Sequence, residues 1–373
     1  MSMEDCTLCP RECHADRKGG KWGYCGQTDE IRAARAALHY WEEPCISGKR
    51  GSGAVFFSGC VLRCVYCQNR EIAWLCARSG NTACGKEISG ERLAEIFLEL
   101  QEKHANNINL VTPTHFAPQI AEAIRLARSQ GLRLPVVYNT GSYEKVETLK
   151  SLNGLVDIYL PDLKYASRHL AERYSNAPDY FERASEAIAE MVRQTGEPVF
   201  GPEEESEGAG ILNGPEEENE GAGILNGREE KSEGAGSLNG REKNGEDAGS
   251  LNGPEKRGEG MGSLNESGEN EGCRLMKKGV IVRHLVLPGS AMDSKRIIHY
   301  LHETYGNRIY ISIMNQYTPM GLADFPELNR KVRRREYEKV VDYALALGVE
   351  NGFIQEGGTA EESFIPAFDW EGL

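Results

Sequence analysis

The chain has 373 residues, a formal net charge of −14 and eleven cysteines. No run approaches the roughly 18 apolar residues of a membrane span, and no apolar h-region opens the chain, so neither a membrane protein nor a secreted disulfide scaffold is expected. Residues 201–272 carry −13 of the net charge, which leaves about −1 for the rest, so neither a nucleic-acid groove nor an acidic-substrate funnel can be read from the total. The expected setting is cytoplasmic, with thiols reduced or bound to metal.

In chain order, the first distinct feature is Cys6, Cys9, Cys13 and Cys25, spaced C-x2-C-x3-C-x11-C. Four thiols meet the usual ligand count of a structural zinc or an iron–sulfur site, and the spacing leaves those two open. Gly19, Gly20, Gly23 and Gly26 suit the tight turns by which a short loop wraps a metal, with buried free thiols as the alternative. The scattered Cys45, Cys76, Cys84 and Cys273 read as structural.

Residues 51–69 follow, GSGAVFFSGCVLRCVYCQN, with Cys60, Cys64 and Cys67 in C-x3-C-x2-C spacing after the apolar run 54–57. A strand feeding a thiolate-bearing loop is the simplest local reading. Three cysteines in so short a loop can converge on one soft metal centre at little entropic cost. A structural zinc would want a fourth ligand nearby, whereas a cubane iron–sulfur cluster can be held at three irons with the fourth open. A zinc knuckle or a set of buried thiols is the alternative.

Beyond the loop the pattern is α/β. Helical spacing appears over 89–103 with Ser89 as N-cap, 118–129 closed by Gly131, 143–152, stretches through 194, 294–304, and 330–347 closed by Gly348. Apolar strands fall at 54–58, 108–111, 134–138, 155–160, 279–287 and 308–314. This alternation predicts βαβ units and a parallel sheet. Six strands are too few for a closed eight-stranded barrel and fit a partial (β/α)6 barrel. Between the fourth and fifth strands, a 13-residue unit begins at Gly201, Gly214, Gly227, Gly240 and Gly253. Each unit offers at most an Ile-Leu pair amid Gly, Glu, Asn and Ser, too little apolar surface to offset chain ordering. We expect a disordered, functionally neutral insertion in a surface loop, with a docking tail as the alternative.

Reactive groups of parallel α/β folds gather beyond the carboxyl ends of the strands. There the chain places the three cysteines, then Thr112-Pro113-Thr114-His115, Asn139-Thr140-Gly141, Pro161-Asp162-Leu163-Lys164-Tyr165, and Asn315-Gln316-Tyr317, with Arg283 and His284 inside the fifth strand. Charges inside apolar runs are rare unless paired, so Asp162, Lys164 and Arg283 point to a polar ligand or to a structural ion pair. Their sharing one rim favours a common site.

The segments EEPCISGKRGSGAVFFSGCVLRCVYCQN, NINLVTPTHF, VVYNTGSYE, VDIYLPDLKY, RHLVLPG and MNQY, in this order, resemble the radical-SAM proteins related to pyruvate formate-lyase activating enzyme, and within them the PflX-like branch. The resemblance runs from about Cys6 to Phe353, interrupted by the repeat. It implies a radical-SAM core at 51–200 and 273–373, a Cys-rich extension at 1–50 and the insertion at 201–272. Cys60, Cys64 and Cys67 would bind a [4Fe-4S] cluster, and S-adenosylmethionine (SAM) would occupy the open iron. Tyr66 would pack near the adenine, Asp162 and Lys164 would border SAM, and Asn139, Arg283 and Gln316 or Tyr317 would approach it. Reductive cleavage would yield methionine and a 5′-deoxyadenosyl radical, with an electron donor of flavodoxin or ferredoxin type and a small-molecule or protein substrate, as in glycyl-radical activation.

One departure stands out. Relatives carry a Gly-Gly-Glu element after the second strand, where this chain has VTPTHF. Pro113 has no N–H to donate, so the Thr112 carbonyl or Thr114 hydroxyl would have to receive the methionine amino group. His115 is open to three roles, ligand, acid/base or polar rim residue, with the rim favoured. The competing reading of the whole chain is a non-catalytic, zinc-stabilised interaction protein whose acidic repeat recruits partners.

Overall fold

The structure, a computed structural model, describes residues 3–75, 84–202, 274–355 and 366–373. All six expected strands are present: β2 (Ser52–Phe57), β4 (Ile108–Val111), β5 (Val136–Thr140), β6 (Ile158–Pro161), β8 (Met276–Leu285) and β9 (Tyr310–Met314). They pair parallel in the order β2-β4-β5-β6-β8-β9. Every residue of β2 and β5 is buried, as required of parallel strands covered on both faces.

Four further strands complete the sheet. β10 (Gly352–Ile354) adds a seventh parallel strand beside β9. At the opposite edge β1 (Ile31–His39) pairs antiparallel with β2 and with β3 (Lys86–Ile88), so part of the N-terminal stretch belongs to the same sheet. β7 (Val199–Phe200) pairs antiparallel with β8. Among the described residues the end strands β10 and β3 do not meet, and the sheet stays open as a partial barrel.

The helices between strands follow the apolar periodicity. In α2 (Gly90–Glu102), Leu93, Ala94, Ile96, Phe97 and Leu100 are buried, and the Ser89 side chain accepts the Arg92 N–H as N-cap. α3 (Ala117–Ser129) and α6 (Tyr180–Thr195) bury equivalent stripes. β5 begins two residues later than its apolar run because Pro135 has no N–H for the ladder. Asn139 and Thr140 therefore lie in the strand and not after it.

The repeat, with Cys273, and also Cys76, lie outside the described residues. The sheet fixes both ends of the insertion at one place: Gly201 N–H donates to the Leu275 carbonyl at 2.8 Å, and Arg274 Nε donates to the Gly201 carbonyl at 2.8 Å. Among the described residues no helix is long and apolar enough to cross a membrane.

Candidate metal and cofactor site

The cysteine loop leaves the carboxyl end of β2 through Gly59, whose φ is +88°. A Cβ there would lie 2.6 Å from Gln27 Cγ and 2.8 Å from the Cys25 carbonyl oxygen, so only glycine fits. Cys60, Cys64 and Cys67 are free thiols, and Arg63 tightens the loop between them at φ +55°. Hydrogen-bond donors surround the sulfurs. Leu62 N–H reaches Cys60 Sγ at 3.4 Å, the Ser175 hydroxyl reaches Cys64 Sγ at 3.0 Å, and Asn69 N–H serves Cys67. Burial, then the neighbouring sulfurs, push the Cys67 thiol well above its ordinary value.

Among the described residues, no group of three or more His, Cys, Asp or Glu side chains is gathered as one metal ion would need. A cubane makes a different demand, since each thiolate takes its own iron. Free thiols, a tight loop and donors aimed at sulfur fit that demand.

The charged strand-end residues form one network. Lys164 Nζ donates to Asp162 Oδ2 at 2.7 Å, and Arg283 Nε donates to Asp162 Oδ1 at 3.0 Å. Arg283 also pairs with Glu42 Oε2 at 2.9 Å and donates to Asn139 Oδ1. Glu42 in turn accepts from Asn109 at 2.9 Å and from Asn139 at 3.2 Å. Burial alone would raise the Asp162 carboxyl, but Lys164 and Arg283 outweigh it and hold it below its ordinary value. Burial likewise opposes the charge on Lys164, and Asp162 and the Cys64 sulfur overcome it. The ammonium thus faces the cysteine loop and the network at once. Beside it the buried Glu43 carboxyl is pushed up by burial.

The other expected contacts are more dispersed. Tyr66 is buried under the loop, its ring edge-on to Tyr165, Tyr174 and Tyr317, and its hydroxyl accepts from Tyr165 at 2.7 Å. The Gln316 carbonyl accepts from Gln68 Nε2 at 2.9 Å, which sets the end of β9 against the cysteine loop. Tyr317 donates to the Leu328 carbonyl and is buried.

Three expectations are corrected. His115 is no rim residue: it is 1% exposed, donates through Nε2 to the Ser58 carbonyl at 2.7 Å, and is kept neutral by burial, its pKa lowered to about 3. The Thr114 hydroxyl is committed to the buried Glu144 carboxyl at 2.6 Å, which also takes the Thr140 hydroxyl at 2.6 Å. Cys84 is neither reduced nor metal-bound but disulfide-bonded. Thr112 is the one β-branched residue with positive φ among the described residues, at +60°. With Arg63 and Ser142 it places left-handed turns after three neighbouring strands, β2, β4 and β5, and such strain is characteristic of functional rims.

Cys6, Cys9 and Cys25 are buried and Cys13 partly so, all four as free thiols. Burial pushes the Cys9 thiol up to about 12 and Cys25 up to about 11. This N-terminal stretch is built onto the cysteine loop. Cys60 N–H donates to the Cys25 carbonyl at 3.2 Å, while Arg11 donates to the Val61 carbonyl and the Ser175 carbonyl, each at 2.8 Å. Sequence reading missed Glu42, Arg11 and Ser175. Glu42 lies in the EEPC segment, but nothing local distinguishes a carboxylate that meets Arg283 from one in water.

Residues 54–207 match the family model described as the Radical SAM superfamily. The "Uncharacterized protein MJ0674" of Methanocaldococcus jannaschii is 28% identical over 182 residues, 48% of this chain and 51% of that protein, so the alignment spans about half the length of this relative. Similar solved structures include Streptococcus suis SuiB bound to the precursor peptide SuiA (TM-score 0.41, 11% identity, 80% of this chain and 46% of that one). SuiB bound to S-adenosylmethionine is also similar (TM-score 0.41, 12% identity, 80% and 48%). The matched stretch contains β2, the cysteine loop, β4, β5 and β6, hence Cys60, Cys64, Cys67, Asn139, Asp162 and Lys164. Residues 54–207, about two fifths of the chain, are thus similar to the radical SAM superfamily.

Proposed function

We propose that the protein reductively cleaves SAM and uses the resulting radical to take a hydrogen atom from a substrate, either a small molecule or a partner protein of the glycyl-radical kind. The observation that carries this reading is the loop of three free thiols at the end of β2, ringed by donors to sulfur and faced by Lys164. A bound [4Fe-4S] cluster would supply the one-electron reduction by which SAM is cleaved to methionine and a 5′-deoxyadenosyl radical, the electron coming from a flavodoxin- or ferredoxin-type donor.

The chain's own residues hold and orient. Cys60, Cys64 and Cys67 ligate the cluster. Asn139, Asp162, Lys164 and Arg283 border SAM, where fixed charges of both signs suit its zwitterionic amino-acid end. With the Thr114 hydroxyl occupied by Glu144, the Thr112 carbonyl takes the amino group. Gln316 closes the far side of the loop, and Tyr66 supports it from below. The strand-end residues are held by one another, so they are preorganised before ligand arrives.

The test is anaerobic reconstitution with EPR of the reduced protein, with and without SAM. A reduced cubane signal that changes on adding SAM, with 5′-deoxyadenosine formed, supports the reading. Bound zinc with no SAM-responsive signal overturns it and leaves a zinc-stabilised interaction protein.

A further inference from the structure

We propose that the hydroxyls of Tyr66, Tyr165 and Ser175 form one directed chain ending on Cys64 Sγ, which makes Tyr165 a positioning residue that sets the reduction potential of a cluster held there. This rests on the reading of the cysteine loop given above. The Tyr66 and Tyr165 hydroxyls are 2.7 Å apart, those of Tyr165 and Ser175 are 2.8 Å apart, and Ser175 Oγ lies 3.0 Å from Cys64 Sγ. Tyr66, Tyr165 and Ser175 are 6%, 0% and 2% exposed, so their protons have to be placed within the chain.

Each hydroxyl carries one proton and accepts through its lone pairs. Three protons therefore serve three links, and the sulfur end sets their order. A metal-bound cysteine is a thiolate and can only accept. Ser175 must then give its proton to Cys64, Tyr165 its own to Ser175, and Tyr66 its own to Tyr165. With Cys64 a thiol, the far link runs the other way, Tyr165 donating to Tyr66. Loading Cys64 thus turns the whole chain toward the sulfur. Bonds in such a chain polarise one another by roughly 10–30% each, so Ser175 donates to sulfur more strongly than a lone hydroxyl would. Tyr165 reaches Cys64 through Ser175 and acts on it from there.

The backbone holds the chain in place at both ends. Tyr66 belongs to the cysteine loop itself, and Ser175 is the last residue of the helix Arg168–Ser175. Val65 N–H donates to the Tyr174 carbonyl at 2.9 Å, which pins that helix end to the loop. Arg11 ties the same two parts from outside, through the Val61 carbonyl on one side and the Ser175 and Asn176 carbonyls on the other. A cation on the last carbonyls of a helix suits its negative end.

The experiment is an EPR-monitored redox titration of the reconstituted full-length protein without SAM. Wild type is compared with Tyr165→Phe, Tyr66→Phe, Ser175→Ala and Tyr165→Phe/Ser175→Ala. Ser175→Ala is expected to shift the reduced-to-oxidised ratio at a fixed potential about tenfold toward oxidised, about 59 mV for a one-electron couple. Tyr165→Phe keeps the ring and is expected to shift the ratio about two- to threefold the same way, with Tyr66→Phe smaller again. In the Ser175→Ala background Tyr165→Phe should add nothing, because the chain is already cut. No shift in Tyr165→Phe, or an equal shift in both backgrounds, would reduce Tyr165 to a packing residue and overturn the proposal. Should Tyr165→Phe not fold, Tyr66→Phe decides by the same pair of comparisons. A cubane that ignores SAM overturns the SAM-cleavage reading while the potentials still decide this one; wild type that takes up zinc and no cubane overturns both.

Discussion

Arg283 and Asp162 hold each other twice, through an Nε–Oδ1 ion pair at 3.0 Å and through a parallel backbone bridge in which Leu163 N–H donates to the Arg283 carbonyl at 2.8 Å. The bridge extends the β6–β8 pairing past the last ladder residues and fixes where Asp162 and Lys164 stand. Replacing Arg283 by Met strands the partly buried Glu42 carboxylate without a cation and leaves Asp162 with Lys164 alone. We expect a loss of about 3–5 kcal/mol in denaturant unfolding, because stranding a buried charge costs more than the pair itself contributes. A loss below about 1 kcal/mol would show that the network is solvated.

His115 and His284 should make the fold acid-sensitive. His284 donates from Nδ1 to the Leu163 carbonyl at 2.7 Å and accepts the Ser294 hydroxyl at Nε2, 2.8 Å away; burial lowers its pKa to about 4. Burial, then the charge of Arg17, lowers that of His115 to about 3. Between these values and about 6.5 the unfolded chain binds protons that the native state refuses. Stability is therefore full above about pH 6.5 and falls as pH drops toward 4, by about 1.4 kcal/mol per pH unit for each histidine. His284→Asn should remove one such increment from the slope measured by urea titration between pH 7 and 5. An unchanged slope would place the native proton on His284 already.

Ser175 is the side-chain donor to a cysteine of the loop. Donors to cluster sulfurs stabilise the more negative, reduced state. Ser175→Ala is expected to keep its iron while its cluster reduces at a lower potential and cleaves SAM more slowly. Cys64→Ala should lose both iron and cleavage. An unshifted potential in Ser175→Ala would make that hydrogen bond irrelevant to redox poise.

The two ends of the insertion meet at the β7–β8 pairing. Joining residues 201 and 274 through a short Gly/Ser turn should therefore leave cluster content and SAM cleavage unchanged. Stability should be equal or higher, by up to about 2 kcal/mol, since closing a shorter loop costs less entropy. A folded deletion variant without cleavage would give the repeat a functional role.

What could be read locally was read well. The helix over 90–102 announced itself by Ser89 and its apolar stripe, and the six parallel strands by apolar runs between helices. β10 escaped notice because a three-residue strand carries no period, and β1 because its pairing is antiparallel to the alternation that defined the rest. His115 was misplaced on the rim because a polar residue after a strand has no local mark of burial. Only the close packing of Phe116 and the Ser58 carbonyl puts it inside.

The sequence by itself determined the alternation of strands and helices, the cysteine spacings and the compositional break at 201–272, since these depend on neighbours along the chain. The tertiary structure alone decided which groups meet: Glu42 with Arg283 across 241 residues, Arg11 with Ser175 across 164, and Cys25 with the Cys60 amide. Such meetings depend on strand order and register. Register is set by the summed burial of whole faces, which no short stretch of sequence contains.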